Sequence, residues 1–478
     1  RFTGLIVADW PLMINVGENT RYVGDVLAGI VAENEKIARQ AIELIEVDYE
    51  VLKPVTDPFK ALNPESPKIH KNGNLLSNTK INRGDSKKDE KESAFVTKGT
   101  YTTQRIEHAF LEIESCLARP WQDGIEIFSQ SQGVYEDRNS ISKILGIPKE
   151  KVKVVLMPNG GGFGGKEDIS VQGHAALFSY LLQAPVRVAL TRPESLCMHP
   201  KRHPMHMEMS LGCDKKGKLT FVRADIIGDT GAYASVGMKV LERAAGHATS
   251  VYSIPIVNIQ SKAVYTNNVP CGAMRGFGVN QINFAIESCL DELCTQGGFD
   301  RWQIRYDNAI KPGERTSTGQ KISTGIGIQK TLVAVKELFN NAKYAGIACG
   351  MKNTGIGNGV PDESKVKVII DSPKKITIHH GWTEMGQGVF TMAVQFLCEA
   401  TGVNPDLVSV KVDTSKEAPC GMTTASRGTS LIGNSVLEAG KKLKADLENH
   451  TLEELVGKEY VGEWICDWTD SIESNSDD

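Results

Sequence analysis

Residues 160–167 read Gly-Gly-Gly-Phe-Gly-Gly-Lys-Glu, a segment that neither a helix nor a strand can absorb. The apolar run Val152 to Met157 ahead of it reads as a strand, and Ser170 to Leu182 behind it has helical spacing. A strand, a glycine loop and a helix in that order present backbone N–H groups to an anion or an oxo group. Gly160, Gly165 and Lys166 also satisfy most of the nucleotide P-loop pattern, but that pattern needs Ser or Thr after the lysine, and Glu167 stands there. A carboxylate at that point repels phosphates. The plainer alternative is that the glycines only let a strand and a helix approach closely.

The loop is not alone. Ala273-Met274-Arg275-Gly276-Phe277-Gly278, Trp382-Thr383-Glu384-Met385-Gly386-Gln387-Gly388 and Thr423-Thr424-Ala425-Ser426-Arg427-Gly428-Thr429 are of the same kind. Together these backbone-rich loops suggest one large, polar, many-armed ligand.

A chain of 478 residues with 40% hydrophobic content can bury two to four cores. Its 54 Lys and Arg nearly balance 58 Asp and Glu, so the net charge of −4 gives no reason to expect nucleic acid or an anionic membrane as partner. No apolar run reaches the roughly 18 residues of a membrane span. The N-terminal Arg1 to Val7 is too short and too soon interrupted by Asp9 for a signal peptide, so the expected location is cytoplasmic. The ten cysteines are scattered without a CxxC pair, which argues for free thiols and against a zinc or iron-sulfur site in this chain.

Residues 1–60 read as a small α/β unit: Arg21-Tyr22-Val23-Gly24-Asp25 leads into the apolar run Val26 to Ala32, Asn34 to Ile45 is helical, and Glu46 to Glu50 alternates. It opens in mid-pattern without a Met, which suggests a natural N-terminus upstream. Residues 61–95, with Pro64, Pro67 and the polar run Asn82 to Lys91, read as a linker. Strands, turns and helices alternate over 96–310, a polar connector covers 311–344, and 345–478 repeats the strand, loop and helix style before an acidic tail, Ser471 to Asp478.

In this order and spacing the four loops resemble the molybdopterin-binding subunit of the xanthine dehydrogenase and aldehyde oxidoreductase family of molybdenum hydroxylases, nearest to its xanthine dehydrogenase-type members. Arg21-Tyr22-Val23-Gly24-Asp25 and Lys201-Arg202-His203-Pro204 reinforce the resemblance, which runs from Leu5 to Trp468 apart from the linker. It implies an α+β fold: a partial α/β hammerhead domain over 1–60, then two large α+β molybdopterin-binding domains over 96–310 and 345–478, the second incomplete.

Carried over residue by residue, the resemblance places Gln132, Phe163, Arg275 and Ala425 around the metal. It places all of Gly162, Phe163, Gly164, Gly386, Gln387, Gly388, Thr424 and Ser426 against the cofactor, with the glycine loop facing the molybdenum oxo ligand and Gly386, Gln387, Gly388 and Ser426 holding the pterin and its pyrophosphate, and Glu167, Arg243 and Phe277 against a purine-like substrate. A charged pair such as Glu167 and Arg243 can grip the carbonyl and ring N–H groups of a heterocycle. The bland reading is an ordinary ion pair beside a core phenylalanine. The implied cofactor is molybdenum-molybdopterin, in the cytosine dinucleotide form, with a sulfide or selenide ligand.

The implied partners are a 2Fe-2S subunit, an FAD subunit and a polypeptide completing the molybdopterin domain. The implied reaction is hydroxylation of a purine or similar N-heterocycle. Alternatives are oxidation of an aldehyde, a nicotinate-like ring or an aromatic thioester, a catalytically silent assembly subunit, or a P-loop NTPase.

Two departures stand out. Asn358 occupies the place of a second stacking aromatic. The family's catalytic glutamate has no counterpart before Asp478, since neither Glu463 nor Glu473 sits in a matching context. The base is therefore expected on a missing C-terminal segment, with Glu384 as the substitute to consider.

Overall fold

A computed structural model describes residues 1–357 and 362–466; Asn358, Glu473, Trp468 and the acidic tail lie outside the described residues. The chain is α+β, as expected, and divides into two compact units.

The first unit combines 1–51, 108–199 and 353–478. It holds two four-stranded sheets built on one plan. In the first, the antiparallel hairpin Ser115–Trp121 and Gly124–Ser129 is followed by the helix Val134–Leu145 and the strand Val152–Leu156, parallel to Gly124–Ser129. The helix Gln172–Leu182 then leads to the strand Val186–Ala189, antiparallel to the first hairpin strand.

The second sheet repeats the sequence of events. The hairpin Asp362–Ser372 and Lys375–His379, the helix Val389–Thr401, the parallel strand Val408–Lys411, the helix Gly428–Leu447 and the antiparallel strand Glu459–Cys466 take the same places. Each sheet has its own core, with Ile125, Ile127, Ile141 and Val154 at the centre of one and Val366, Val368, Ile378 and Ile432 of the other, and Phe390 and Val410 pack against both. The sheets meet where Leu156 N–H donates to the Val412 carbonyl at 3.0 Å. Both loops that follow a sheet's second strand, and both that follow its third, therefore open in this unit.

The second unit combines 52–107 and 200–352 around a five-stranded sheet in the order Leu75–Arg83, Ile256–Tyr265, Leu219–Gly231, Met205–Cys213, Phe95–Thr103. Helices Gly237–Gly246 and Val279–Gly297 pack on it.

Packing thus interleaves stretches that a reading in series kept apart, because hydrogen-bonding joins 108–199 to 353–466. The stretch 61–95 also differs from a linker. It contains the edge strand Leu75–Arg83, whose outward residues are polar, and the helix Ser86–Glu92, capped by Asp85 and tied to the sheet by Glu90 pairing with Arg223 at 2.7 Å. The connector 311–344 carries the helix Ile328–Asn341, held by Trp302 Nε1–H donating to the Leu332 carbonyl at 2.8 Å. At the N-terminus the helix is Glu35–Ile42, capped by Asn34, while Val26 to Ala32 and Glu46 to Glu50 form no strand. No disulfide forms among the described residues.

Candidate functional site

The glycine loop is a left-handed excursion. Gly161, Gly164 and the non-glycine Phe163 have φ of 101°, 102° and 56°. Positive φ at Phe163 costs about 1 kcal/mol or more, and such strain persists only where surrounding contacts impose it. Here Glu112 imposes it from one side: its Oε2 accepts the Gly160 N–H at 2.6 Å, and its own N–H donates to the Gly160 carbonyl at 3.3 Å.

Gln132 imposes it from the other side. It sits in the turn between Gly124–Ser129 and Val134–Leu145, 2% exposed. Its Oε1 accepts N–H groups from Gly164 at 2.9 Å and Lys166 at 3.4 Å, so the amide orientation is fixed with nitrogen as the donor. That nitrogen donates to the Thr423 carbonyl at 3.1 Å and faces Glu167 Oε1 at 3.5 Å. A Cβ on Gly162 would meet Met385 Sδ at 2.6 Å and Gln132 Oε1 at 2.7 Å, so the 382–388 loop closes on the same place and a side chain here would displace both.

The fourth loop closes on Gln132 as well. Thr423 N–H donates to the Gln132 carbonyl at 2.7 Å, and Thr383 N–H donates to Thr423 Oγ1 at 2.9 Å. Ala425 and Ser426 are left-handed without being glycine, at 63° and 53°. The ion pair that holds them was not visible in the sequence: Arg427 Nη1 donates to Asp362 Oδ1 at 2.8 Å and Nη2 to the Met422 carbonyl at 2.8 Å, with both side chains buried. Asp362 also accepts the Ile356 N–H at 3.1 Å, and Gly355 N–H donates to the Ala425 carbonyl at 3.0 Å. No local pattern marks Asp362, because its partner lies 65 residues away.

Glu167 is the buried acid of the site. Burial, helped by Asp168 and opposed by a Thr424 hydrogen bond and by Arg427, raises its carboxyl to about 8 from the usual 4.5. At pH 7 it is a neutral hydrogen-bond donor rather than an anion. Between pH 4.5 and 8 the folded chain therefore holds a proton that the unfolded chain releases, and stability falls as pH rises through that window. Urea unfolding of the wild type should show this decline, and Glu167→Gln should flatten it; an equal decline in the variant would remove Glu167 as its source.

Glu384 does not stand as a base. Its Oε1 accepts N–H groups from Gly386 at 2.8 Å and Gly388 at 2.9 Å, and its Oε2 accepts the Phe390 N–H at 3.1 Å, capping the helix Val389–Thr401. Gln387 is turned onto its own loop, with Oε1 on Met385 N–H and Nε2 on the Thr383 carbonyl, both at 2.7 Å. The Thr383 hydroxyl is buried and has no hydrogen-bond partner among the described residues. Glu463 pairs with Lys365 at 2.5 Å on an outer strand.

The P-loop reading fails on geometry. Lys166 turns its ammonium inward to Asn159 Oδ1 at 2.9 Å and to Gln130 Oε1, and the following helix begins only at Gln172.

The first unit thus brings together Gln132, Gly162, Phe163, Gly164, Glu167, Thr424, Ala425 and the 382–388 loop. Arg243, Arg275 and Phe277 belong to the second unit. There Phe277 has φ of 53°, and Arg202 donates to the Arg275 carbonyl at 2.8 Å. Arg243 lies in the last turn of the helix Gly237–Gly246; burial and then the Arg243 charge lower the pKa of Lys352, and burial, opposed by a hydrogen bond to the Arg243 carbonyl and helped by the Arg243 and Lys352 charges, brings that of His247 to about 4.

A fixed amide donor, an orphaned buried hydroxyl and a cradle that a Cβ at Gly162 would fill suit a polar oxo or phosphate-bearing ligand.

Comparison with known proteins agrees. Residues 69–309 and 326–459 each match the profile of a molybdopterin cofactor-binding domain. A Bacillus subtilis (strain 168) protein, named as one subunit of a probable xanthine dehydrogenase, is 35% identical over 462 residues, 94% of this chain and 62% of that protein. The large molybdopterin subunit of nicotinate dehydrogenase from Eubacterium barkeri is 35% identical over 335 residues, covering 70% and 78%. The solved aldehyde oxidoreductase of Desulfovibrio gigas superposes with a TM-score of 0.86 at 25% identity, over 91% of this chain and 51% of that one. The chain therefore spans 62% of the length of its Bacillus relative.

Proposed function

This chain belongs to the molybdopterin cofactor-binding family, within the molybdenum hydroxylases, and from that premise we propose that it forms the metal-binding part of an enzyme hydroxylating a purine or similar N-heterocycle. The observation that carries the reading is the convergence of Gln132, the glycine loop, Glu167 and the Thr423–Thr424 turn. When bound, the molybdenum cofactor supplies the metal and the two-electron redox chemistry.

Around that group the residues of this chain bind and orient. Gln132 holds the glycine loop in its left-handed course through Oε1, with Nε2 engaged by the Thr423 carbonyl and facing Glu167, and the loop would meet the cofactor through its backbone. Gly386, Gln387, Gly388, Thr424 and Ser426 would hold the pterin end, which requires the 384–388 turn to exchange some internal hydrogen bonds for cofactor contacts. Neutral Glu167 donates to a ring carbonyl or nitrogen.

The finer assignments are part of the same proposal: the cytosine dinucleotide form of the cofactor, a sulfide or selenide ligand, separate 2Fe-2S and FAD subunits, and a cytoplasmic setting. Support for partner subunits is that the Bacillus and Eubacterium relatives are themselves named as subunits. No helix among the described residues is long and apolar enough to cross a membrane. A nicotinate-like ring is the second reading, favoured by the name of the Eubacterium relative.

The test is kinetic. Glu167→Ala and Arg243→Ala, in the complete complex, should each lower turnover of xanthine or hypoxanthine while leaving molybdenum content near normal. One charge-assisted contact is worth about 2 to 4 kcal/mol in a transition state, or roughly two to three decades in rate. Unaltered purine turnover in both variants would remove the purine assignment, and nicotinate turnover in its place would establish the second reading.

A further inference from the structure

Lys166 belongs to the glycine loop by its backbone and leaves it by its side chain. The backbone brackets Gln132: Lys166 N–H reaches Gln132 Oε1 at 3.4 Å, and the Lys166 carbonyl accepts the Gln132 N–H at 3.0 Å. The side chain runs inward, and the residue is 4% exposed.

The ammonium lies in a cradle that cannot turn away. It donates to Asn159 Oδ1 and Gln130 Oε1 and stands 4.5 Å from the centre of the Phe110 ring. Gln130 Nε2 is held by the Ile113 carbonyl at 2.6 Å and Ser115 Oγ at 2.9 Å. Asn159 Nδ2 is held by the carbonyls of Gln130 at 3.0 Å and Ser131 at 3.3 Å. With both nitrogen ends occupied, both amide oxygens face the lysine.

Among the described residues no carboxylate pairs with this ammonium. Glu112 and Glu114, on the approach to Ser115–Trp121, act on it only at longer range, and Arg192 of the helix Arg192–Met198 opposes them. Glu112 is engaged with the Gly160 N–H, and Glu114 lies 3.3 Å from His199 Nδ1. Arg192 donates to the Phe110 carbonyl at 2.5 Å. The protein thus buries a positive charge on its glycine-loop residue with amides and an aromatic face in contact, and with Glu112, Glu114 and Arg192 acting on it only from further off.

Resting on the proposed cofactor site, we infer that this fixed charge of Lys166 raises the reduction potential of the metal held against the loop. Adding an electron to a centre near a buried positive charge with no carboxylate in contact is favourable, and the low local dielectric weakens the screening of that interaction. The two amide oxygens fixed on the lysine nitrogen accept from it and favour its charged, ammonium form.

The experiment uses holoenzyme purified with its partner subunits, in wild-type, Lys166→Met and Lys166→Arg forms, with molybdenum content measured first. Midpoint potentials of the metal are then determined at pH 7 by redox titration followed by electron paramagnetic resonance. Lys166→Met should retain molybdenum and shift to lower potential, while Lys166→Arg, which keeps the charge, should stay near the wild type. If the Met form does not accumulate as folded holoenzyme, Lys166→Gln is the neutral comparison. An unmoved potential in a molybdenum-replete neutral variant overturns the inference, as does an equal shift in the Arg form, which would mark a packing effect. Absence of molybdenum from the wild type overturns the cofactor reading instead.

Discussion

Replacing Asp362 with Ala is expected to lower the unfolding free energy by about 3 to 5 kcal/mol, the usual cost of stranding one member of a buried ion pair. Arg427 and Asp362 are 4% and 5% exposed at the side chain, so solvent cannot take over the lost contact. The stranded guanidinium would keep only its carbonyl partners, Met422 at 2.8 Å and Cys420 at 3.5 Å. Trp382, whose ring lies 5.2 Å from the guanidinium carbon, provides a nearby fluorescence reporter for urea unfolding. Removing both charges, as in Asp362→Leu with Arg427→Met, should recover part of the loss, because no charge is then left buried alone. A single-variant loss under about 1 kcal/mol would show that water reaches the pair and that the loop is held by other means.

The second large effect concerns Gly164, where φ of 102° is a conformation open to glycine and closed to β-branched residues. Gly164→Val should cost about 1 to 3 kcal/mol of backbone strain locally. The chain can relieve that strain by flattening the loop, which withdraws the N–H that fixes Gln132 Oε1 at 2.9 Å. Molybdenum content of the purified complex should then fall by roughly tenfold or more, since about 1.4 kcal/mol of lost binding is one decade. This separates the loop from Glu167 and Arg243, whose replacement should spare metal content. Normal metal content in Gly164→Val would mean that the loop does not touch the cofactor.

What could be read in the sequence was local. Glycine runs announce positive φ, and the loop positions 161, 164, 386 and 388 all take it. The strand Val152–Leu156 and the helix Gln172–Leu182 followed from apolar spacing to within one or two residues. Phe163, Ala425 and Ser426 carry the same left-handed backbone without a glycine to announce it, because tertiary contacts impose it.

Distant pairings were not legible. Asp362 looks like any strand-edge aspartate until Arg427 reaches it, and Gln130 and Asn159 look like surface amides until Lys166 turns inward between them. Leu75–Arg83 hid as a linker because an edge strand with one wet face has linker composition. The kinship of the two four-stranded sheets left no repeating residues to find, only a repeated order of hydrogen bonding.

That repeated order has a thermodynamic corollary. Gln132 and the 382–388 turn each follow the second strand of their sheet, and the 160–165 and 421–427 loops each follow the third. The four loop segments of this unit thus come in matched pairs from two sheets whose cores share Phe390 and Val410 and which are joined by hydrogen bonds such as Thr423 to Gln132, Leu156 to Val412 and Val154 to Thr414. A ligand spanning all four is a cross-link between cores, and its binding free energy adds to their cohesion by mass action, about 2.7 kcal/mol at a hundredfold excess over Kd. Filling the site should therefore raise the melting temperature of this unit, reinforcing a junction that shared side chains and hydrogen bonds already hold.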